Sequence, residues 1–447
     1  MSESLGSSDL RNAPDAHLEG VARLVDPGTA WGPEAPRARV VEKLLAAALV
    51  VAAGTWYPVV GGLTVATVLA VGLSPVLLGA LRHFRGATAL FALWLVTIAA
   101  GLVLTQVADA DATVLPNVMR DGAFHLLGVT FGIPVILWAR RRWSDPAVGL
   151  FFGLGMLASA AMHLNPVNPW KFTLSVPVAV VLLSIAWMWR RRWLEVAALV
   201  VIGGLCAMND SRSMFGVVLM TAAIIVGKEW RDRARRRRGR LTRRGSVLRL
   251  FLVVALLGGV AYQLGQALAL EGALGTAAAE RSARQIEQSG SMLVGSRPEM
   301  GATFSLLRER PQGFGFGVLP SSHELRVAKI GMSGLGYDPN NGYVERYMFG
   351  RGVEVHSVVG DLWAWCGIAG VVLGITLLVV VGRGLLVRIV DGTASALVVL
   401  LSLRVLWDLL FAPFYSTMVF LTLLLGLLLS ARTVAAGPAQ EARASSV

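Results

Sequence analysis

Charge is scarce in this chain. Asp, Glu, Lys and Arg together make up 15% of its 447 residues, while 55% are hydrophobic. A soluble chain of this length would divide into domains with alternating apolar and polar patterning. Here the apolar runs are uniform, which excludes a soluble multidomain enzyme. Cysteine is nearly absent. Cys206 and Cys366 are the only two, and both lie inside apolar runs. Neither bridges an exposed loop, and no metal-ligand spacing exists. The first 39 residues lack the basic-then-apolar layout of a signal peptide and read as a disordered cytoplasmic tail. No internal repeat is visible. A nucleotide phosphate loop is absent too. Arg308-Glu-Arg310-Pro-Gln-Gly313-Phe-Gly315-Phe-Gly317 alternates glycines, but no strand precedes it and no Lys-Ser/Thr follows. It reads as a turn with close backbone packing.

What is present is a succession of apolar runs of about 17–25 residues, the length that carries a helix across a bilayer core. About twelve such spans are predicted, near 40–56, 59–81, 88–107, 122–139, 147–163, 172–189, 194–209, 212–228, 247–268, 357–382, 386–408 and 411–431. The net charge of +13 is not the mark of a nucleic-acid binder, because of where it sits. Arg82 and Arg85, Arg140 to Arg142, Arg190 to Arg192, the run from Lys228 to Arg244, and Arg383 with Arg388 occupy every second loop. That is the positive-inside pattern, with contact to anionic lipid as its companion. The predicted fold is therefore an all-α, polytopic membrane helix bundle. It comprises a cytoplasmic tail at 1–39, spans 1–9 within 40–269, one large external loop at 270–355, spans 10–12 within 356–432, and a second cytoplasmic tail at 433–447.

Four external segments carry the candidate chemistry. His163-Leu-Asn165-Pro-Val-Asn168-Pro-Trp170-Lys171 is a proline-stiffened turn, read as a membrane-surface turn or as the amide-lined edge of a substrate groove. Asn209-Asp210-Ser211-Arg212-Ser213 leaves almost no loop between two spans. Arg212 must then stand at the membrane edge, where it pairs with Asp210 or Asp408 or grips an anion. The guanidinium fork suits phosphate oxygens. The large loop supplies Arg297, Arg308 and Arg310, and its 337–351 stretch interleaves Tyr343 and Tyr347 with Arg346 and Arg351, a surface suited to sugar and phosphate or to an interfacial lid. Glu354-Val-His356 opens the next span. A histidine with an ordinary pKa near 6.5 suits proton transfer at neutral pH. Glycines 360, 367, 370 and 374 behind it permit close helix packing.

Taken in order, these segments resemble the bacterial O-antigen ligases and Wzy-type polysaccharide polymerases. The family's Ser-Arg-Gly reads Ser211-Arg212-Ser213 here. Its Pro-Asn turn is similar to Asn165-Pro166 and Asn168-Pro169. An arginine before the loop's first helix matches Ser296-Arg297, and Pro311-Gln-Gly313-Phe-Gly315-Phe-Gly317 resembles its glycine turn. The closing histidine matches His356, with Gly367 and Gly370 at the family's offsets and Asp361 where it carries Gln or Asp. Ser357 and Ser213 replace the usual Asn and Gly, and Trp365 stands where Glu is common.

The resemblance implies a metal-independent membrane glycosyltransferase without a cofactor. Its donor would be a glycan on undecaprenyl pyrophosphate, and its acceptor a glycan or lipid-glycan hydroxyl. Membrane lipids and other polysaccharide-assembly proteins are the remaining expected partners. The location it implies is the bacterial cytoplasmic membrane. Arg212 and Arg297 would neutralise the pyrophosphate leaving group, and His356 would align or deprotonate the acceptor. Arg308, Arg310, Arg351, Asn168, Lys171 and Asp361 are the expected substrate contacts. A polytopic transporter or flippase and a non-enzymatic assembly scaffold are the alternatives.

Overall fold

The computed structural model describes residues 36–108, 112–238, 297–350 and 352–432. The predicted span 247–268, both tails except 36–39, the first part of the large loop and Arg351 lie outside the described residues.

The described chain is mostly helical. It opens with α1 (Pro36–Thr55), a small antiparallel hairpin of β1 (Pro58–Val60) and β2 (Leu63–Thr64), then α2 (Val65–Gly72) and α3 (Ser74–Leu81). Next come α4 (Ala87–Gln106), α5 (Pro116–Ala139) and α6 (Asp145–Met162). A π-helical turn (Trp170–Leu174) leads into α7 (Ser175–Met188), followed by α8 (Arg192–Met208) and α9 (Arg212–Arg238). The loop region supplies α10 (Glu299–Glu309), α11 (Ser322–Ser333) and a second π-helical turn (Val344–Met348). The chain returns through α12 (Val358–Val390), α13 (Ala396–Phe411) and α14 (Phe414–Leu428).

Five of these helices are long and apolar enough to cross a membrane: α4, α5, α6, α7 with its leading turn, and α12. The expected count of about twelve is not reached among the described residues. α8, α13 and α14, at 17, 16 and 15 residues, stand at or below the short end of the roughly 17–25 residues that cross a bilayer core. The predicted span 59–81 is not one helix. Its start is the β1–β2 hairpin, and the rest is divided between α2 and α3 at Leu73, where Pro75 follows in the first turn of α3. A further boundary moves. No break falls between 382 and 386, because α12 runs on to Val390 and the turn lies at 391–395. Arg383 and Arg388 are helical residues, not loop residues. Arg388 reaches along the bundle to the Leu427 carbonyl, the behaviour of a long basic side chain that buries its stem and places its head at an interface.

The helices share two ends. At one, Arg85 N–H donates to the Ser430 carbonyl at 2.9 Å and Arg432 N–H to His83 at 2.7 Å. Arg140 forks onto Asp145 at 2.7 and 3.0 Å and also reaches the Gly426 and Leu429 carbonyls. Lys228 donates to the Ala394 carbonyl, and Glu195 caps Ala396 N–H at the start of α13. At the other end stand the hairpin, the 112–119 and 163–171 segments, the α8–α9 turn, everything described from 297 to 357, and the α13–α14 turn.

The glycine-rich turn at 311–317 joins loop and bundle. α12 breaks at Gly367 (φ 61°, ψ −139°), a conformation L side chains seldom adopt. The Ala364 carbonyl at this break accepts the N–H groups of Phe314 and Gly315 at 2.7 and 3.0 Å. Phe314 and Phe316 are both 1% exposed. Phe316 lies where α4 and α5 present Gly101 and Gly122, and its carbonyl accepts Thr105 Oγ1 at 3.2 Å. The apolar wedge thus replaces helix hydrogen bonds with loop hydrogen bonds, so burying its backbone leaves few polar groups unpaired.

Candidate functional site

His356 is held from both sides of its own chain. Asp361, fully buried, accepts Val355 N–H on one oxygen and Phe414 N–H on the other, each at 2.8 Å. Ser357 caps α12 at Gly360 N–H and donates to the Leu409 carbonyl at 3.0 Å. Between these anchors His356 adopts φ 52°, a left-handed conformation that costs energy for a non-glycine residue and gathers at functional sites.

α10 brings the opposing charges. It crosses α11 where Gly301 and Gly331 allow backbone-to-backbone approach. Glu299, in its first turn, is 8% exposed and accepts the Tyr343 hydroxyl on Oε1 at 2.6 Å. The Tyr343 ring lies 6.0 Å from the His356 ring. Arg297 stands over Trp407 and Phe411, 5.7 and 5.9 Å from their centroids. Behind it Arg404 bonds Asp408 at 2.8 Å, and Thr417 donates to the same Asp408 oxygen.

Burial pushes the His356 imidazole below its ordinary 6.5. Glu299 and the Glu354 backbone act upward against that, and Arg297 acts downward with it. The ring is therefore neutral at pH 7. Burial also lowers the proton affinity of Arg297, against the pull of Glu299, Tyr343 and Asp408, while Arg404 repels it. Burial raises the Tyr343 phenol, and Glu299 raises it further, so Tyr343 serves as a donor.

Four buried atoms converge here without a hydrogen-bond partner among the described residues: Arg297 Nε, Glu299 Oε2, His356 Nδ1 and Asp408 Oδ1. A buried polar group left unpaired costs about 1–3 kcal/mol. These four atoms, of mixed charge, are polar capacity that the described residues leave unused.

The second expected cluster lies at the α8–α9 turn. Arg212 Nε lies 3.4 Å from Asp210 Oδ1, and Lys171 Nζ lies 3.5 Å from Asp210 Oδ2. Asp210 itself has φ 50°. Asn168 takes Lys171 N–H on its side-chain oxygen and donates to the Asn209 carbonyl, both at 2.8 Å. The 165–171 turn is thereby tied to the α8–α9 turn. The α8–α9 turn that carries this cluster stands at the same end of the bundle as His356.

Some expected contacts have other occupations. Asp361 has both oxygens engaged by backbone N–H groups, so it is a strut behind His356. Arg310 bonds the Gly313 carbonyl and Glu324, each at 3.0 Å, and covers Phe314; it holds the glycine wedge. Arg308 is exposed on α10. Arg351 lies outside the described residues. Sequence reasoning passed over Glu299, Trp407 and Phe411. The only local signal for Glu299 was an acid two residues after Arg297, which also suits an ordinary helix start.

No family model, characterised protein or solved structure matches this chain.

Proposed function

We propose that this protein is an integral-membrane glycosyltransferase. It transfers a glycan from an undecaprenyl-pyrophosphate carrier to an acceptor hydroxyl, as a polysaccharide polymerase or an O-antigen-ligase-like enzyme. In this reading the chain sits in the bacterial cytoplasmic membrane with about twelve crossings and both termini cytoplasmic, and the site opens outward.

The observation that carries the reading is the meeting of Arg297, Glu299 and His356 at the end of the bundle remote from the arginine-rich loops, with polar atoms unpaired. Transfer breaks the bond between the sugar's anomeric carbon and pyrophosphate. The phosphate oxygen leaves with the bonding pair, and negative charge grows on it. Preorganised guanidinium groups favour that charge in a dry site far more than water does. Arg297 and Arg212 supply them. The acceptor oxygen forms the new bond to the anomeric carbon and gives up its proton. A neutral imidazole is fit to take it.

The test uses purified protein in liposomes with a lipid-linked glycan and a glycan acceptor. Arg297→Ala should lower transfer by roughly 10²–10³-fold, the cost of removing one preorganised donor. Full transfer by both Arg297→Ala and Arg212→Ala would overturn the reading.

A lipid-linked-glycan flippase is the second reading, favoured by the break in α12, since transporters often bind substrate at interrupted helices. Movement of labelled carrier across the bilayer without transfer would select it.

A further inference from the structure

The buried acid beside the histidine takes no part in the transfer step itself. Glu299 does not act as a helix cap. Its Oε1 takes the Tyr343 hydroxyl and its Oε2 meets no partner among the described residues. Acids in a first helical turn serve the helix dipole from the surface, whereas this one is 8% exposed. Holding a carboxylate there with one phenolic donor is costly, and the cost is recovered only if a positive charge arrives nearby. Arg297 is one such charge, yet it stands over the Trp407–Phe411 pair and shares Asp408 and Arg404 as neighbours. Beside it among the described residues stands His356, whose ring lies 6.0 Å from the ring of Tyr343, the residue whose hydroxyl Glu299 accepts at 2.6 Å.

We propose that Glu299 is a positioning residue for His356: clamped by Tyr343, its carboxylate stabilises the imidazolium that forms when His356 accepts the acceptor's proton. This rests on the transferase reading for the source of the proton, but not for the pairing itself. The balance is simple. The acceptor O–H bond breaks, its electrons form the bond to the anomeric carbon, and the proton goes to His356. Glu299 takes no proton; it lowers the energy of the charged ring, as a buried acid does behind a catalytic histidine elsewhere. The groups facing His356 make this necessary. From the α10 segment come Arg297 and Glu299, from just before the second π-helical turn Tyr343, from its own chain the Glu354 backbone, and behind Arg297 stand Arg404 and Asp408 of α13. A proton arriving next to Arg297 in a buried site needs an opposing charge, and Glu299 is the carboxylate whose field reaches the ring.

The full chain in lipid nanodiscs allows two separable measurements. The first is the titration of His356 by NMR, assigned by its loss in His356→Gln. Glu299→Gln keeps an acceptor for Tyr343 and removes the charge. The His356 titration should move to lower pH by about one unit, a tenfold loss of proton affinity. An unmoved titration overturns the proposal. The second is transfer rate against pH. In Glu299→Gln the maximal rate should fall roughly 10²-fold, within the range of general acid–base effects, with the donor KM unchanged and the acid limb displaced to lower pH. A normal rate and profile in Glu299→Gln, with His356→Ala inactive, overturns the proposal and leaves the transferase reading intact. Absence of transfer in the wild type, with the NMR shift as expected, upholds the pairing and rejects the transferase. Should Glu299→Gln fail to fold, Tyr343→Phe releases the clamp while keeping the charge. It should lower the maximal rate without changing donor KM, and a normal rate overturns the proposal.

Discussion

His356 and Asp361 show how differently two neighbouring polar residues are employed. Asp361 has no capacity to spare, because each oxygen already accepts a backbone N–H at 2.8 Å. Asp361→Asn turns an NH2 group toward one of those donors. It should cost about 1–3 kcal/mol, read as a lower unfolding temperature in detergent. His356 has an unpaired Nδ1 and a pKa lowered first by burial. The sign of its pH dependence follows. The unfolded chain takes up the proton at about 6.5 and the folded chain only at lower pH, so stability is complete above that value and declines as pH falls below it. His356→Gln should lose stability less steeply between pH 7.5 and 5.5 than the wild type; equal slopes would mean the ring is charged as readily folded as unfolded. The sequence pointed to both residues, through position and resemblance. It had no means of separating them, since burial and backbone partners decide which acid is a strut and which histidine stays available.

At the scale of elements, the 311–317 wedge decides where the site stands. The alternating glycines were legible as a turn with close packing, but not its place in the break of α12, which depends on chain segments some fifty residues apart. The same spacing carries two aromatic side chains into the bundle between the glycines. Phe316→Ala empties a fully buried position and should destabilise by about 3–5 kcal/mol. A Cβ at Gly367 would fall 2.2 Å from the Gln312 carbonyl oxygen at a φ of +61°, so Gly367→Ala should be at least as damaging. Both variants should lower the unfolding temperature and impair transfer together, because the first turns of α12, just before the Gly367 break, anchor the 355–357 segment that holds His356. Arg310 tests the same element from outside. It bonds Glu324, whose pKa sits low because the Ser321 N–H and Arg310 outweigh burial. The ion pair therefore stabilises above about pH 4.5 and is lost as pH falls below that value. Arg310→Ala should loosen the loop with no direct effect on donor affinity. A raised donor KM at unchanged stability would return Arg310 to the substrate.

At the scale of the molecule, the two ends of the bundle differ in chemistry. The alternation of basic loops was legible, and the structure gathers the described ones, at 82–85, 140–142 and 190–192, at one end with Lys228. What the sequence misjudged is how the apolar residues are divided. The run at 59–81 begins as a hairpin whose Gly62 N–H donates to Asp121 at 3.2 Å, and the arginines at 383 and 388 lie on one long helix. Hydropathy records only that a residue tolerates an apolar setting, and a buried short helix satisfies it as well as a bilayer crossing does. The orientation of the two ends can be measured directly, because both native cysteines are buried and leave a low labelling background. Ser333, at the end of α11, and Thr393, in the α12–α13 turn, are exposed at opposite ends. In intact cells a membrane-impermeant maleimide should label Ser333→Cys at once and Thr393→Cys only after permeabilisation, since positive charge is retained on the cytoplasmic side. Labelling of both without permeabilisation would mean that no bilayer separates the ends. The reverse pattern would put the His356 site inside the cell, where nucleotide sugars are at hand, and the argument for a lipid-linked donor would lose its ground.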